Sequence, residues 1–306
     1  MIVRIKILTV LLFCTTGVFA QQMSVVTLFD QNLTYINPAA TGNQEALTAG
    51  FFYRSQWTGF EGTPSTQFFS AHAPLKNPKV ALGVMLEHES IGSINYTGVY
   101  FNYAYRFTVG PGKLSLGLKF GLNSGSQKTV SLRNTDDQAF NEKSNTFFVP
   151  NAGFGALYST EMYWASFSIP RFFGYKSDAS GAYKMSHDFL NYEYYFAGGG
   201  KMALPSEFSI EPSVLLVYSA VHPFQAAVNA IGMYKNTYRA GIGYRYSEYG
   251  EAFILIIGYN LNRQFSLGYS YDINIGKISD YTSGSHEINV QYKFGYSVNA
   301  SNPRRF

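Results

Sequence analysis

Residues 112–123 read GKLSLGLKFGLN, and this stretch decides the fold class because its residues alternate in character. Every second residue is large and apolar: Leu114, Leu116, Leu118, Phe120 and Leu122. The residues between them are small or polar: Ser115, Gly117, Lys119, Gly121 and Asn123. Because successive side chains of a β-strand point to opposite faces, the pattern predicts a strand with one apolar and one polar face. In a soluble β-sandwich the apolar face points to a core, whereas in a membrane barrel it points to lipid.

The same alternation recurs from end to end of the chain. It predicts fourteen strands, several of them longer than ten residues, as tilted membrane-spanning strands require. Their expected positions are 46–57, 65–74, 79–89, 94–107, 113–123, 146–158, 161–169, 190–203, 207–218, 223–234, 237–247, 251–260, 264–272 and 285–295. Beyond the first twenty residues no apolar run is long enough for a spanning helix, so a chain in the membrane must cross it as a closed antiparallel β-barrel.

The connections between these strands sort by length. Counted from the first strand, the even-numbered connections are short and carry the Gly, Pro, Asn and Ser residues of tight turns. Every long connection is odd-numbered, at about 124–145, 170–189 and 273–284. Outer-membrane barrels have short periplasmic turns and longer extracellular loops. The sorting therefore predicts such a barrel, with both termini on the periplasmic side.

Composition favours lipid outside the barrel. Aromatic residues make up 17% of the chain and charged residues 14%, against about a quarter charged in a typical soluble domain. The predicted outward rows contain no charge. The inward rows combine glycines with charged residues such as Arg54, Glu87, Arg106 and Lys119. A soluble β-sandwich is the disfavoured alternative, because it would expose these glycines to water, where they only weaken a strand.

The first twenty residues, MIVRIKILTVLLFCTTGVFA, have the positive start, apolar run and small-residue end of a secretory signal peptide cleaved before Gln21. The only cysteine, Cys14, lies inside it, so the mature chain has no disulfide and no thiolate chemistry. Removing Arg4 and Lys6 from the 23 basic residues leaves 21 against 19 acidic residues, a balance that gives no case for nucleic acid as a partner.

The sequence predicts one membrane domain with short flanking segments. The signal peptide covers residues 1–20, and residues 21–45 form a periplasmic extension or a plug that enters the lumen. The outer-membrane β-barrel covers residues 46–295, and residues 296–306 form a C-terminal tail.

Three stretches resemble the PorP/SprF family of outer-membrane proteins of the type IX secretion system. The first runs from Asp30-Gln31 to Tyr35-Ile36-Asn37-Pro38-Ala39-Ala40-Thr41-Gly42, similar to the family's NPAxxG segment. The second, YRSQWTGFEGTP at residues 53–64, looks like its YRxQWxGxxGxP block. The third, Ser270-Tyr271-Asp272 followed by GSHEI at residues 284–288, looks like its elements before the last strand. The chain departs from the family at Ala40, often Tyr there, and in its longer tail.

The resemblance implies a non-enzymatic role, and the residues themselves predict no cofactor or metal. It implies an outer-membrane component that supports secretion or surface attachment of cargo such as gliding adhesins, through the adhesin or its C-terminal region, and contacts periplasmic parts of the machine. The bilayer is the other expected partner. The motif positions are candidate partner or plug contacts: Asn37, Pro38, Gly42, Tyr53, Arg54, Gln56, Trp57, Gly59, Gly62, Pro64, Asp272, Gly284, Ser285, His286 and Glu287.

Two other functions stay open at this point. A passive porin or small-solute channel is compatible with the polar inward face. A hydrolase barrel would need one of the five histidines beside a nucleophile. His88 lies between Glu87 and Glu89, but neighbours on a strand face opposite ways, so these residues predict no metal site.

Overall fold

Strands built on this alternation dominate the computed structural model, which describes residues 26–59, 61–127, 146–177, 183–187, 189–248 and 250–295. The predicted signal peptide, the predicted C-terminal tail after residue 295 and most of the loop at 124–145 lie outside the described residues.

Seventeen strands occur in the described part of the chain, and all pairings are antiparallel. Their bounds are β1 Thr48–Ser55, β2 Ser65–Pro74, β3 Val80–Ile91, β4 Ile94–Val109, β5 Gly112–Gln127, β6 Thr146–Ser159, β7 Tyr163–Ile169, β8 Gly174–Ser177, β9 Tyr183–Ser186, β10 Tyr194–Gly200, β11 Met202–Ala203, β12 Phe208–Tyr218, β13 Gln225–Tyr234, β14 Tyr238–Ser247, β15 Glu251–Asn260, β16 Phe265–Ile275 and β17 Ser285–Lys293.

Fourteen of these strand positions close into a barrel, which confirms the predicted fold class. β11 continues β10 along the same neighbour, β12, so the two count as one strand of the wall. β1 pairs with both β2 and β17, and β10 joins β7 to β12, so the sheet has no free edge between its first and last strands. We call the pairing of β1 with β17 the seam. β8 and β9 form a separate hairpin within the connection from β7 to β10.

The direction of the strand faces is as the sequence predicts. On β5, Leu118 and Phe120 are exposed on the outer surface, whereas Ser115 and Lys119 are buried inside. Exposed apolar side chains of this kind surround the barrel, so its outer surface suits acyl chains and its inner surface is polar.

Four short helical elements complete the described part of the chain. They are the α-helix α1 at Leu33–Ile36 and 3₁₀ turns at Pro38–Ala40, Phe189–Asn191 and Lys277–Asp280. None of the helices in the described ranges is long and apolar enough to cross a membrane.

The predicted and observed strand bounds differ by a few residues at most strands, and two differences have a clear physical reason. The first strand ends at Ser55 rather than at residue 57, because Trp57 has a φ of +51° and turns the chain into a loop. Trp57 therefore lies outside the strand whose outward row includes Tyr53. The hairpin of β8 and β9 was not predicted, because its four-residue strands are too short to show a period.

Candidate functional site: the filled lumen

Residues 26–45, the plug segment, lie inside the barrel. Most of their side chains are fully buried, and Val26, Phe29 and Ala39 have no exposed surface. The aromatic ring of Tyr35 packs edge-on against two inward-facing rings of the wall, at 5.2 Å from Phe52 and 5.0 Å from Phe68 between ring centroids. Residues 26–45 therefore lie within the lumen, whereas residues 21–25 of the predicted segment lie outside the described residues.

The plug segment runs along the barrel axis. We call the end of the barrel with the short turns the short-turn rim and the opposite end the long-loop rim. β1 follows the plug segment at the short-turn rim and reaches the long-loop rim at Ser55. Thr27 lies beside Arg54, one residue from that opposite end of β1. Glu45 lies beside Lys113, at the start of β5, which adjoins the short turn at 110–111. The segment therefore spans much of the lumen's length.

Four buried charged side chains of the wall form an anchor cluster around the start of the plug segment: Arg54, Arg245, Asp272 and Glu287. Arg54 reaches Asp272 at 2.6 Å through Nη2 and Glu287 at 3.1 Å through Nη1. Arg245 Nη1 reaches the same Asp272 oxygen at 2.8 Å. Two positive and two negative charges thus neutralise one another where water is scarce, as buried charges must.

The anchor cluster also binds the plug segment directly. The backbone N–H groups of Thr27 and Leu28 donate to the two oxygens of Glu287, at 2.8 and 3.0 Å. The Thr27 hydroxyl donates to Asp272 at 3.1 Å and accepts from Arg54 at 2.9 Å. The Asn229 amide donates to the Thr27 carbonyl at 2.9 Å. Charge-assisted hydrogen bonds of this kind are the strong ones, so they fix this end of the segment.

Three of the predicted candidate residues therefore meet in one place. Arg54 and Glu287 are directly opposite each other on β1 and β17, so one ion pair joins the two ends of the barrel sequence across the seam. Asp272 arrives from β16, the other neighbour of β17. The second and third motifs of the sequence, more than 200 residues apart, form one structure because the barrel closes there.

The first motif lies deeper in the lumen. The Asn37 amide donates to the Ser166 hydroxyl at 2.7 Å and to the Ala156 carbonyl at 3.0 Å, and its oxygen accepts from the Ala39 N–H. Pro38 begins the 3₁₀ turn that follows. This turn presses its backbone against glycines of the wall: a Cβ on Gly117 would lie 2.1 Å from Ala39 N. Close backbone approach explains why an inward-facing row needs glycine here.

At the short-turn rim the segment is held again. Gly42 has a φ of +74°, its N–H donates to His72 Nδ1 at 3.1 Å, and its carbonyl accepts from Arg106 at 2.6 Å. Glu45 pairs with both Arg106 and Lys113, at 3.1 and 2.8 Å. A side chain at position 42 would be strained and would collide with Ala81, so this glycine is required.

A third contact joins the plug segment to a long connection of the barrel. Arg171, just after β7, reaches Glu87 of β3 at 2.7 Å. The hydroxyl of Tyr35 donates to the same Glu87 oxygen at 3.3 Å. Next to Arg171, the Phe172 N–H donates to the Ala152 carbonyl at 2.8 Å. Glu87 thus contacts both the connection from β7 to β10 and the middle of the plug segment.

The remaining candidate residues shape the long-loop rim beside the seam. Trp57 N–H donates to Ser285 Oγ at 3.1 Å, and Thr58 N–H donates to the Gly284 carbonyl at 2.8 Å, so the loops at 56–64 and 276–284 bind each other. The other members of the set there are Gln56, Gly59, Gly62, Pro64 and His286. Tyr53 faces outward. These residues lie near the anchor cluster, at the same end of the barrel.

Several important residues were not predicted. Thr27 and Asn229 carry no pattern of their own, because their importance comes from the path of the plug segment. Arg171 lies in a connection without periodicity. Arg245 was not predicted as part of a site either, although a charge in the inward row of a predicted strand is the signal that would have found it.

His88 does not share a face with the two glutamates beside it. Its Nδ1 lies 2.9 Å from the Thr97 hydroxyl, whereas Glu87 and Glu89 are buried in the lumen. In the described ranges no group of three or more His, Cys, Asp or Glu residues is placed to hold a metal ion.

The sequence profile described as type IX secretion system membrane protein PorP/SprF matches residues 18–292, nearly the whole chain. It bears out the resemblance seen in the three motifs. No curated protein matches the sequence.

Many solved structures are similar in fold. The CymD monoaromatic hydrocarbon channel is 12% identical, with a TM-score of 0.53, over 90% of this chain and 94% of that one. A FadL homologue of Pseudomonas aeruginosa is 12% identical, with a TM-score of 0.48, over 84% and 93%. Omp33 of Acinetobacter baumannii is 8% identical, with a TM-score of 0.45, over 82% and 100%. At such identity the likeness to CymD concerns the barrel fold alone.

Proposed function

We propose that this protein supports secretion or surface attachment of cargo such as gliding adhesins without catalysing a reaction. The premise is that the chain belongs to the PorP/SprF family of type IX secretion system membrane proteins. The barrel itself is an outer-membrane component of that secretion system. The observation that supports a docking role is the filled lumen, because residues 26–45 are bound to the wall at both ends and in the middle.

A filled barrel leaves its two rims as the surfaces available to protein partners. At the long-loop rim the paired loops 56–64 and 276–284 are held by several hydrogen bonds and present Tyr281, which is three-quarters exposed. Aromatic residues on an ordered rim are typical anchors of protein interfaces. We assign this rim to the adhesin or its C-terminal region, and the short-turn rim to periplasmic components of the machine.

The test is display of cargo at the cell surface. We expect deletion of the gene to abolish surface display of at least one adhesin, measured by antibody labelling of intact cells, and the wild-type gene to restore it. The variant Tyr281→Ala should restore less, whereas Tyr103→Ala, the same change on the outward row of β4 away from both rims, should restore fully. Unchanged display of every such cargo in the deletion strain would rule out the proposal.

The polar inward face supports a second function, a passive porin or small-solute channel. Conductance of the purified protein in planar bilayers separates the two. With the lumen filled, we expect the wild-type protein to conduct little, and a variant lacking residues 26–43 to conduct freely. Free conduction by the wild type, with deletion of the gene affecting only uptake of nutrients, would favour the channel.

A further inference from the structure

Large apolar side chains are exposed on the connection from β7 to β10, at the long-loop rim. Phe189 and Leu190, in the 3₁₀ turn Phe189–Asn191, are 67% and 61% exposed, and Met185 of β9 is also exposed. We call Phe189 and Leu190 the apolar turn. Large apolar side chains exposed together at a surface mark a contact with lipid or with another protein. The place of the apolar turn on the barrel decides between these two partners.

Ring contacts join the apolar turn to the outer surface of the wall. Phe189 packs against Tyr192 at 5.3 Å between ring centroids, and Tyr192 packs against Tyr194 at 6.4 Å. Tyr194 packs in turn against Tyr218, its direct cross-strand partner on β12, at 6.3 Å. Because the next residue of β10, Tyr195, is buried inside, Tyr194 belongs to the outward row. The apolar turn is therefore continuous with the lipid-facing surface of the barrel.

The same rings also reach the contact that holds the plug segment. Tyr192 packs against Phe172 at 5.4 Å, and its hydroxyl lies 2.9 Å from His187 Nε2. Phe172 directly follows Arg171, which reaches Glu87 in the lumen at 2.7 Å. A short run of contacts thus connects the exposed apolar turn outside the barrel with the plug segment inside it.

The apolar turn lies across the barrel from the loops assigned to cargo. β7 and β10 are the wall strands farthest from the seam, because the wall has seven strands from β1 to β7 and seven from β10 to β17. The paired loops 56–64 and 276–284 adjoin the seam. At the long-loop rim of an outer-membrane barrel, an outward surface meets the outer leaflet of the bilayer. Lipid, which surrounds the barrel, is therefore the partner that this position favours.

We propose that the apolar turn is seated in the outer leaflet of the bilayer and thereby holds Arg171 in the lumen. Phe189 and Leu190 enter the boundary between headgroups and acyl chains, where burial of apolar side chains is favourable. Tyr192 and Tyr194 extend the aromatic belt that barrels place at this interface. Lipid outside the barrel then stabilises a contact of the plug segment inside it. The inference concerns lipid and does not depend on the proposed cargo.

The first test measures whether the apolar turn contacts lipid. The chain has one cysteine, Cys14, so in a Cys14→Ser background a single new cysteine can carry a polarity-sensitive fluorophore. The purified full chain with Leu190→Cys is labelled and reconstituted into phosphatidylcholine vesicles that contain lipids spin-labelled near the headgroup or near the end of the acyl chain. We expect stronger quenching by the headgroup label. Leu118→Cys, near the middle of β5, should be quenched more by the chain-end label. Ser279→Cys, exposed at the same rim near the seam, should be quenched by neither.

The second test measures whether the seated turn holds Arg171. Phe189→Ser combined with Leu190→Ser removes the apolar surface, so the connection should leave the lumen more often. We expect trypsin added to intact cells to cleave after Arg171 several-fold faster than in the wild type, as identified by the mass of the fragments. Met162→Ser removes an equally exposed apolar side chain at the short-turn rim. This matched control should keep the wild-type rate.

Each variant is first checked for a folded barrel by its heat-dependent shift on electrophoresis. Equal quenching of the labels at positions 190 and 279 would overturn the inference, because the turn would then lie in water and its partner would be a protein. A wild-type cleavage rate in the folded double variant would also overturn it. The quenching measurement needs no double variant, so it decides the question even if that protein does not fold. Neither measurement involves cargo, so a failure here with normal adhesin display rejects this inference alone.

Discussion

Arg54 is the residue on which most of the anchor cluster depends. Its guanidinium contacts Asp272, Glu287 and the Thr27 hydroxyl, and it is fully buried. The ion pairs of a surface arginine add little to the free energy of unfolding. Removal of a buried arginine, in contrast, leaves its buried carboxylate partners without a counter-charge.

We therefore expect Arg54→Ala to lower the free energy of unfolding by about 3–5 kcal/mol. The measurement is urea-induced unfolding of the barrel in detergent, followed by tryptophan fluorescence and electrophoretic shift. Arg263→Ala, which removes an exposed arginine at the short-turn rim, should change stability little. Equal effects of the two changes would mean that the anchor cluster adds no stability.

Glycines of the inward rows set how closely the plug segment approaches the wall. A methyl group at Gly117 would meet the backbone of Ala39, whereas one at Gly50, also inward-facing, would come no nearer than 3.6 Å to another atom, Ser70 Oγ. We expect Gly117→Ala to cost about 1–3 kcal/mol through overpacking and to raise conductance in planar bilayers, because the plug segment must shift. Gly50→Ala should stay closed and as stable as the wild type. A Gly117→Ala protein with the stability and conductance of the wild type would contradict the observed contact.

At this scale the sequence shows which way a side chain points but not what it meets. The alternation on β1 and β17 places Arg54 and Glu287 inside, because the period of two is a local property. The role of Thr27 could not be predicted, since it depends on the course of a segment without periodicity through the lumen. In the sequence the inward glycines only share their rows with charged residues, whereas in the structure Gly117 and Gly155 make room for the backbone and side chains of the plug segment.

Among the elements, the connection from β7 to β10 reaches into the lumen. Arg171 and Tyr35 meet on Glu87, so a displacement of this connection changes a contact of the plug segment. Periodicity found every strand of the wall within a few residues, because each is long enough to repeat. It could not find this connection's role, because the contact depends on a single arginine in an aperiodic stretch.

Trypsin can measure this contact, because it cleaves after arginine. In Glu87→Gln the neutral amide no longer pairs with the Arg171 guanidinium, so the connection should leave the lumen more often. We expect cleavage at Arg171 in intact cells to become several-fold faster than in the wild type, since proteolysis follows the population of the open form. Glu251→Gln, which changes a carboxylate near the same rim that does not contact Arg171, is the control. Equal cleavage rates in all three proteins would show that Glu87 does not hold the connection.

For the whole molecule, the decisive property is which face of the wall meets lipid. Leu118 is exposed on the outer surface of β5, near the middle of the strand. We expect Leu118→Arg to destabilise the barrel in lipid vesicles by about 2–4 kcal/mol, the cost of a cation near the bilayer midplane. Leu75→Arg, in the turn after β2, should cost about 0–1 kcal/mol, as expected near the interface. If the ranking were reversed, the outer surface would not be the one that faces acyl chains.

Glu287 has one further consequence, for how the protein matures. This residue lies on the last strand, yet it binds both the first strand and the start of the plug segment. A nascent chain therefore contains the binding partner of its N-terminal part only when its final hairpin has been synthesised. Until then β1 keeps an unpaired edge and Thr27 lacks its acceptor. Prematurely terminated chains consequently lack both the closed barrel and the hydrogen bonds that Glu287 makes to the plug segment. The carboxylate of Glu287, near the end of the sequence, therefore distinguishes finished molecules from unfinished ones.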